Sequence, residues 1–524
     1  MHFHGSQEMR EWDRRTIAER GVPGLTLMNR AGAAVARVVM RMAALRGSAR
    51  VALAAGRGNN GGDAFVAARC LHEDGLRVEV LLACPPDVLR GDARGAWEAM
   101  LAAGVPWRVL AEPAAWLANE ATAADRAGVV VDGLLGTGSE GAPRGAIAGA
   151  IRWINGLRPR SLVVAVDLPS GLHADTGKAS DPTVIADATV TFAAPKSGFQ
   201  HACAWEFLGH VEVVDIGLPA ELEPPCTGAG IERFIGAPAI RSLLPRRGRG
   251  AHKGDFGHLL VVGGSYGLSG APALAALGAL RGGAGLVTAA IPESCLGAMA
   301  VLAPGAMART ISTADGAMTA SGLTDGLPTL ERFDVVLAGP GMSAAAGTAE
   351  FVQRLLRSEA PRLVLDADAL NVMTGRIREL YREAGAHTVI LTPHPGEAAR
   401  LLGCTAAQVQ ADRLGAARQL AADSRAVVVL KGAGTVVCAA DGTAYLNLTG
   451  NPGMATGGSG DILAGLIAGV WAQGVDPVDA ARLGVYLHGT AGDLAAWLSC
   501  EQAVSAEEIG RLLGPAWQWL ARIP

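Results

Sequence analysis

The chain is poor in aromatic residues, which make up 4% of its 524 residues. A core large enough for that length must therefore be assembled from Ala, Val, Leu and Gly. No apolar run reaches the roughly 18 residues that cross a bilayer, which excludes a membrane-spanning helix. Residues 1–15 are charged and lack the apolar stretch of a signal peptide. The eight cysteines form no C-x-x-C pair and no zinc spacing, so they are expected to be buried thiols in a reducing cytoplasm. There is no Walker A string, which argues against a P-loop ATPase. A formal net charge of −4 leaves no basic footprint for nucleic acid. What is abundant is glycine, 70 residues, spread with 27 prolines as punctuation between short elements.

Length favours two to four domains. In the first half, apolar runs of strand length occur at Val51–Ala55, Val78–Ala83, Val129–Leu134, Leu162–Asp167 and Thr189–Ala194. Between them, Asp63–Glu73, Asp92–Ala103 and Ala146–Leu157 carry apolar residues at helical spacing. This alternation predicts an α/β fold of parallel strands with crossover helices, covered on both faces. The pattern lapses between Gly217 and Lys253, and the boundary is placed near Thr227, dividing the chain into residues 1–226 and 227–524. The basic cluster Arg246-Arg247-Gly248-Arg249 there reads as a solvated linker or as a phosphate-attracting loop. The second half predicts strands at Leu259–Gly263, Val335–Ala338, Leu363–Asp366, Val389–Thr392 and Val427–Leu430, and a small-residue helix from Ala271 to Ala284. A hairpin is expected around Asp441-Gly442, then mainly helix to the end. The halves share no motif, so the chain joins two different modules, with Ala-rich helices that permit a homo-oligomer.

Gly56-x-Gly58-x-x-Gly61 follows a strand and opens a helix, with Glu79 ending the next strand, as in a dinucleotide-binding turn. Asn59, Asn60, Gly61, Gly62 and Asp63 add amides and a carboxylate that a plain turn does not need. Asp132 and the segment Asp167 to Ser170 end further strands at the same sheet edge. Together they supply hard oxygens suited to an alkali cation or a polar substrate, the alternative being three capped turns. In the second half, Gly457-Gly458-Ser459-Gly460-Asp461 precedes an apolar helix. Its amides make an anion hole for a transferring phosphoryl group, and Asp461 is placed to accept a proton from an attacking hydroxyl. Lys431, Gly432, Ala433, Gly434 and Thr435 follow a strand and could hold nucleotide phosphates and sugar. His394, rigidified between Pro393 and Pro395, suits ligand contact.

The strings GRGNNGGDAFVAAR, VDGLLGTG, VAVDLPSGL and TFAAPKSG resemble the NAD(P)HX epimerase family, which acts on hydrated nicotinamide nucleotides. The resemblance implies a Rossmann-like three-layer sandwich and a potassium ion held by Asn60, Asp132 and Ser170. It also implies substrate contacts at Asn59 to Asp63, at Gly136, Thr137, Gly138, Ser139, Glu140, Gly141 and Ala142, and at Asp167. That family usually has Gly where this chain has Ala64, a methyl expected to narrow the approach to the ligand. Epimerisation asks for an acid and a base at the ring, and Asp167 and Lys196 are the candidates. Asp167→Asn is expected to abolish interconversion and leave the fold intact.

The strings HKGDFGHLLVVGGSYGLSGA, DADALN, TPHPGEAARLLG, KGAGTVV and NPGMATGGSGDILAG resemble the dehydratase family of the same repair system, a ribokinase-like α/β fold. By resemblance, Lys431 to Thr435 and Gly460 bind the adenine nucleotide, while Ala271, Gly341, His394 and Asp461 touch NAD(P)HX. After Gly341 the family favours Leu-Gly, where this chain has Met342-Ser343, an exchange expected to alter that loop's backbone. The implied activity is repair: epimerisation of R and S forms, then dehydration of S-NADHX and S-NADPHX with ADP or ATP as phosphoryl donor and Mg2+. The rival is a ribokinase-like small-molecule kinase with an accessory dinucleotide-sensing domain.

Overall fold

The computed structural model describes residues 1–117, 127–139, 141–225, 233–314, 316–319, 321–325, 327, 329–358, 360, 362–384 and 388–522. The chain divides near residue 230 into two compact units. Thr227, where the boundary was expected, lies outside the described residues, as does Glu140.

Runs of Val, Leu and Ala without polar alternation fit strands buried on both faces. The first unit builds them into one parallel sheet: β1 (Arg50–Ala55), β2 (Arg77–Leu82), β3 (Trp107–Val109), β4 (Val129–Gly133), β5 (Leu162–Val166), β6 (Ala188–Phe192) and β7 (His210–Val214). The order is β3-β2-β1-β4-β5-β6-β7, so the chain reverses direction between β1 and β4. A crevice opens outside the carboxyl ends of two such strands. The Asn59–Glu73 helix starts at one lip, and Asp132 and Gly133 end β4 at the other. That helix begins four residues before the expected Asp63, so both asparagines lie in its first turn.

Two expectations fail here. Glu79 is not at a strand end: it is the third residue of β2 and pairs with Arg108 at 2.7 Å, away from the crevice lip. Ala64 does not crowd the ligand side, because it is fully buried and its methyl lies where a side chain on Gly133 would go. Gly56 and Gly61 are needed by close approach, since a Cβ on either would strike a backbone carbonyl oxygen (of Leu134 and of Gly56). Gly58 faces open space.

The second unit contains β8 (Arg233–Phe234), β9 (His258–Val262), β10 (Leu286–Ile291), β11 (Met307–Thr310), the small hairpin β12 (Thr313–Ala314) and β13 (Ala317–Met318), β14 (Val335–Ala338), β15 (Arg362–Leu365), β16 (Thr388–Leu391), β17 (Val427–Leu430), β18 (Thr435–Cys438) and β19 (Ala444–Asn447). Its large sheet runs β11-β10-β9-β14-β15-β16-β17-β18-β19-β8. It is parallel as far as β17, and the expected hairpin forms between β18 and β19. Direction reverses between β9 and β14, which places the loops before Ala271 and around Gly341 at the switch point.

The Gly270–Gly282 and Ser459–Ala472 helices meet backbone to backbone. A Cβ on Gly278 would strike the Ile462 carbonyl, on Gly465 that of Ala275, and on Gly469 that of Ala279. Of the basic cluster, Arg247 lies 4.0 Å over the Phe256 ring and donates to the Gly283 carbonyl, so it serves packing. Only Cys295 and Cys438 are buried among the described thiols, while Cys203 and Cys500 are exposed. A small, weakly polar side chain is tolerated at the surface, which is why composition alone misjudged them.

Candidate active sites

In the first unit, Asn60, Asp132 and Ser170 come from three different elements and meet through Leu135. Asn60 Nδ2 donates to the Leu135 carbonyl at 2.8 Å, and the Leu135 amide donates to Ser170 Oγ at 2.9 Å. Ser170 Oγ in turn donates to Asp132 Oδ1 at 2.6 Å, and the Ser170 amide to Oδ2 at 2.8 Å. Asp132 is fully buried. Burial pushes its carboxyl up to about 6, against the opposing hydrogen bonds from Ser170 and Leu134. A carboxylate, an amide carbonyl and a hydroxyl in so dry a place lack the positive charge that would compensate Asp132. Beside them, a cavity of about 170 Å³ is lined by Gly136, Ser139 and Gly141 of the expected substrate loop, together with Pro169, His173 and Lys178.

Asp167 follows β5 directly and holds a φ of +65°, a backbone strained for any residue but glycine. Its carboxylate pairs with Lys196, whose Nζ lies 2.7 Å from Oδ1. Lys196 comes after β6 and is not part of it. It lies four residues past the end of that strand, is 1% exposed, and reaches back beneath the edge. Its ammonium also donates to Thr191 Oγ1 at 2.9 Å and to the Ala194 carbonyl at 3.3 Å. Asp63, two residues past Gly61 and buried, is raised well above the usual carboxylate range by burial and by the charges of Asp167 and Asp13.

In the second unit, the Ser459–Ala472 helix starts from Gly458 at φ +90° with no side chain capping its first amides. Amides left without a side-chain cap at a helix start make a ready anion site. Asp461 stands in that first turn, half-buried. Burial and the nearby Asp366 push it up to about 7, with Lys431 pulling the other way. Lys431 Nζ lies 2.6 Å from Asp366 Oδ1 and 3.9 Å from Glu397 Oε2, and a Cβ on Gly460 would be 3.2 Å from it. Burial disfavours its charge, but Asp366, Glu397 and Asp461 hold it above the ordinary lysine range. Lys431, Gly460 and Asp461 therefore share one cluster. The rest of the loop is pinned by Arg413, which donates to the carbonyls of Leu430, Lys431 and Gly434.

His394 does two jobs. Its Nδ1 accepts from the Gly396 and Glu397 amides at 3.0 and 3.3 Å while Glu397 Oε2 accepts from its own amide, a capping box on the Pro395–Leu402 helix. Half of its side chain stays exposed toward ligand. Ala271 and Gly341 adjoin, since a Cβ on Gly341 would meet the Ala271 methyl at 3.1 Å. Asp366, Glu397 and Arg413 stand in the second cluster and Asp13 in the field of Asp167 and Lys196; the motifs made none of the four a candidate. For Asp366 the signal was available: an acid directly after an apolar strand, as at Asp132 and Asp167.

Ser343 keeps the backbone of the glycine it replaces, with a φ of +66°. The loop thus stores the exchange as strain, and Ser343 Oγ is buried without a hydrogen-bond partner. Its amide still anchors Asp368 at 2.8 Å. Ser343→Gly should stabilise the second unit by about 1 kcal/mol, combining relief of left-handed strain with removal of an unsatisfied hydroxyl. Urea unfolding of the two proteins measures it; an unchanged or lower midpoint would refute the strain.

Residues 24–198 match the family described as YjeF-related protein N-terminus, and residues 259–513 match NAD(P)H-hydrate dehydratase. The chain is 43% identical to the bifunctional NAD(P)H-hydrate repair enzyme Nnr of Moorella thermoacetica, over 97% of this chain and 95% of that one. It is 36% identical to the corresponding enzyme of Escherichia coli, over 94% of this chain and 89% of that one. Among solved structures, it resembles the ADP/ATP-dependent NAD(P)H-hydrate dehydratase from Bacillus subtilis co-crystallized with ATP/Mg2+. That likeness has 32% identity and a TM-score of 0.50, covering 55% of this chain and 98% of that one.

Proposed function

The chain belongs to the family of bifunctional NAD(P)H-hydrate repair enzymes, and from that premise we propose which of its residues carry the two reactions. The repair activity joins an isomerase to a lyase: R- and S-NAD(P)HX are interconverted, and the S form is dehydrated to NAD(P)H. The folds are the expected ones, Rossmann-like in the first unit and ribokinase-like in the second.

One observation carries the assignment. In each unit an acid at the ligand crevice lies in the field of a lysine: Asp167 pairs with the buried Lys196 at 2.7 Å, and Asp461 in its helix's first turn feels the part-buried Lys431. In the epimerase site Asp167 is the base at C6, and Lys196, with its donors engaged, keeps that base charged and aimed. Asn59 to Asp63 and Gly136 to Ala142 contact the nucleotide. Asn60, Asp132 and Ser170 suit a potassium ion, because their oxygens surround a buried charge that has no basic neighbour acting on it. A potassium ion held there would supply that compensation and would firm the substrate loop that leaves β4.

In the dehydratase site the amides of Gly460 and its neighbours cradle the phosphates of ADP or ATP, and Lys431 to Thr435 hold the nucleotide. Ala271, Gly341 and His394 line the substrate side. Asp461 takes the proton as the C6 hydroxyl oxygen attacks phosphorus. Phosphate is a far better leaving group than hydroxide, so its departure from C6 with loss of a C5 proton restores the ring double bond. Magnesium bound with the nucleotide would neutralise phosphate charge, the usual role of an ion that prefers phosphate oxygens to an all-protein cage. A cytoplasmic setting belongs to the same proposal and is supported by the described cysteines being free thiols. Among the described residues no helix is long and apolar enough to cross a membrane.

The test supplies mixed R and S hydrated NADH with ADP or ATP and follows recovery of dihydronicotinamide absorbance. Full recovery is expected, fast for S and slower for R. Replacing potassium by lithium should slow only the R-derived phase, by about tenfold, if the ion's share is of the order seen for ligands that organise a metal site. A stable phosphorylated product with no recovery would favour the kinase reading.

A further inference from the structure

The Ser6–Arg20 helix belongs to neither motif and reads as a polar surface helix, yet Ser6, Met9, Trp12 and Thr16 are buried. The chain before it is stitched to the backbone around Lys196. The His4 amide donates to the Pro195 carbonyl at 3.0 Å, and the His4 carbonyl accepts from the Ser197 amide at 2.9 Å. Asp175 then accepts from the Ser6 amide and hydroxyl at 2.5 and 2.8 Å, and Trp12 Nε1 donates to the Pro219 carbonyl at 3.0 Å. The helix is fixed at both its first turn and its middle. It leaves Asp13 partly buried, in the field of Lys196 and Asp167, while Asp63 from the Asn59–Glu73 helix feels both carboxylates. No hydrogen bond from another described residue ties up the Asp13 carboxyl.

Inverting C6 through loss and return of its hydroxyl needs two proton-handling groups, because one oxygen must gain a proton and the other must lose one. Asp167 fills one position. Lys196 cannot fill the second without abandoning Asp167, Thr191 and the Ala194 carbonyl.

We propose that Asp13 is the catalytic acid of the epimerase site, acting at C6 of NAD(P)HX opposite the base Asp167. The inference rests on the reading of Asp167 given above. The Asp13 carboxyl protonates the C6 hydroxyl; the C6–O bond breaks with its electron pair on oxygen, and water leaves as the N1 lone pair forms an N1–C6 double bond. Water then adds to the opposite face: its oxygen bonds C6, the π pair returns to N1, and Asp167 takes the proton. Solvent carries that proton back to Asp13. Burial holds the Asp13 carboxyl up at about 6, with Lys196 working against it and Asp167 with it, so its protonated fraction declines above that pH.

The experiment compares Asp13→Asn, Asp13→Glu and Asp167→Asn in the full-length protein. R-to-S exchange is read across pH, with dehydration of S-NADHX as the control for an intact chain. Asp13→Asn should lose about 10²-fold or more in kcat with KM nearly unchanged, the scale of general acid catalysis. Its residual rate should no longer decline above pH 6, and Asp13→Glu should restore part of the rate. Exchange within threefold of the parent, or an unaltered pH profile, overturns the proposal. So does loss in both Asp13 variants with a lowered unfolding transition of the first unit, which marks a structural role. If Asp167→Asn is also silent, the reading of the whole site fails; if Asp167→Asn alone is dead, only the role of Asp13 does.

Discussion

Asp461→Asn should cut dehydratase turnover by about 10³-fold and leave R-to-S exchange at the parent rate, a loss in the range that removing a general base produces. Asparagine matches aspartate in shape, so the helix start, the Gly458 turn and the amide cradle survive. What it cannot do is take the proton of the C6 hydroxyl. The pH profile adds a second signature. Burial and the facing Asp366 push Asp461 up to about 7. A base must be ionised, so the parent rate should fall as pH drops below about 7, tenfold per unit, and the variant's residual rate should lack that limb. Absorbance recovery from purified S-NADHX plus nucleotide measures both. Equal loss of both activities in a folded protein would contradict independent sites.

Asp167→Asn should remove interconversion by about 10²–10⁴-fold while dehydration of S-NADHX continues. The expectation of an untouched fold does not survive the structure. Lys196 is buried, and its ammonium depends on Asp167 as its ionic partner at 2.7 Å. Deleting one member of such a buried pair commonly costs about 3–5 kcal/mol, because the other charge is stranded. The first unit should therefore melt early in Asp167→Asn, and Asp167→Asn combined with Lys196→Met should regain most of the stability and none of the exchange. Calorimetry of the three proteins separates the two roles. Equal stability of the single variant and the parent would show that the pair is not a structural support.

Much of the α/β frame was legible because fully buried parallel strands leave unbroken apolar runs. The runs at β1, β4, β5, β14 and β17 contain little else. Where buried strands carry charge, the signal disappears: β7 has His210 and Glu212, both 1% exposed, and it was missed. β3 is three residues long, too short for any period to register. Local chemistry announced three acids: Asp132 and Asp167 at the ends of apolar strands, and Asp461 after a glycine-rich helix start. Asp13 had no such announcement. Its helix is polar on average, and it is brought to the site by ties of His4 to the Lys196 loop, of Ser6 to Asp175 and of Trp12 to Pro219, long-range facts that no local spacing encodes. His394 was weighed for ligand contact and turned out to cap its helix as well, since the two prolines that aim its ring also leave its Nδ1 over two free amides.

The glycine contacts between the Gly270–Gly282 and Ser459–Ala472 helices have a bearing on how this enzyme could change. Main chain lies directly on main chain there, so no side chains exist to be reshaped, and any added methyl wedges the two rods apart. The amides proposed to receive phosphate are thus mounted on an unadjustable base. A lineage, or an engineer, seeking a different phosphoryl donor would have to work through the loops that leave β9, β14 and β17, because this joint offers no intermediate steps.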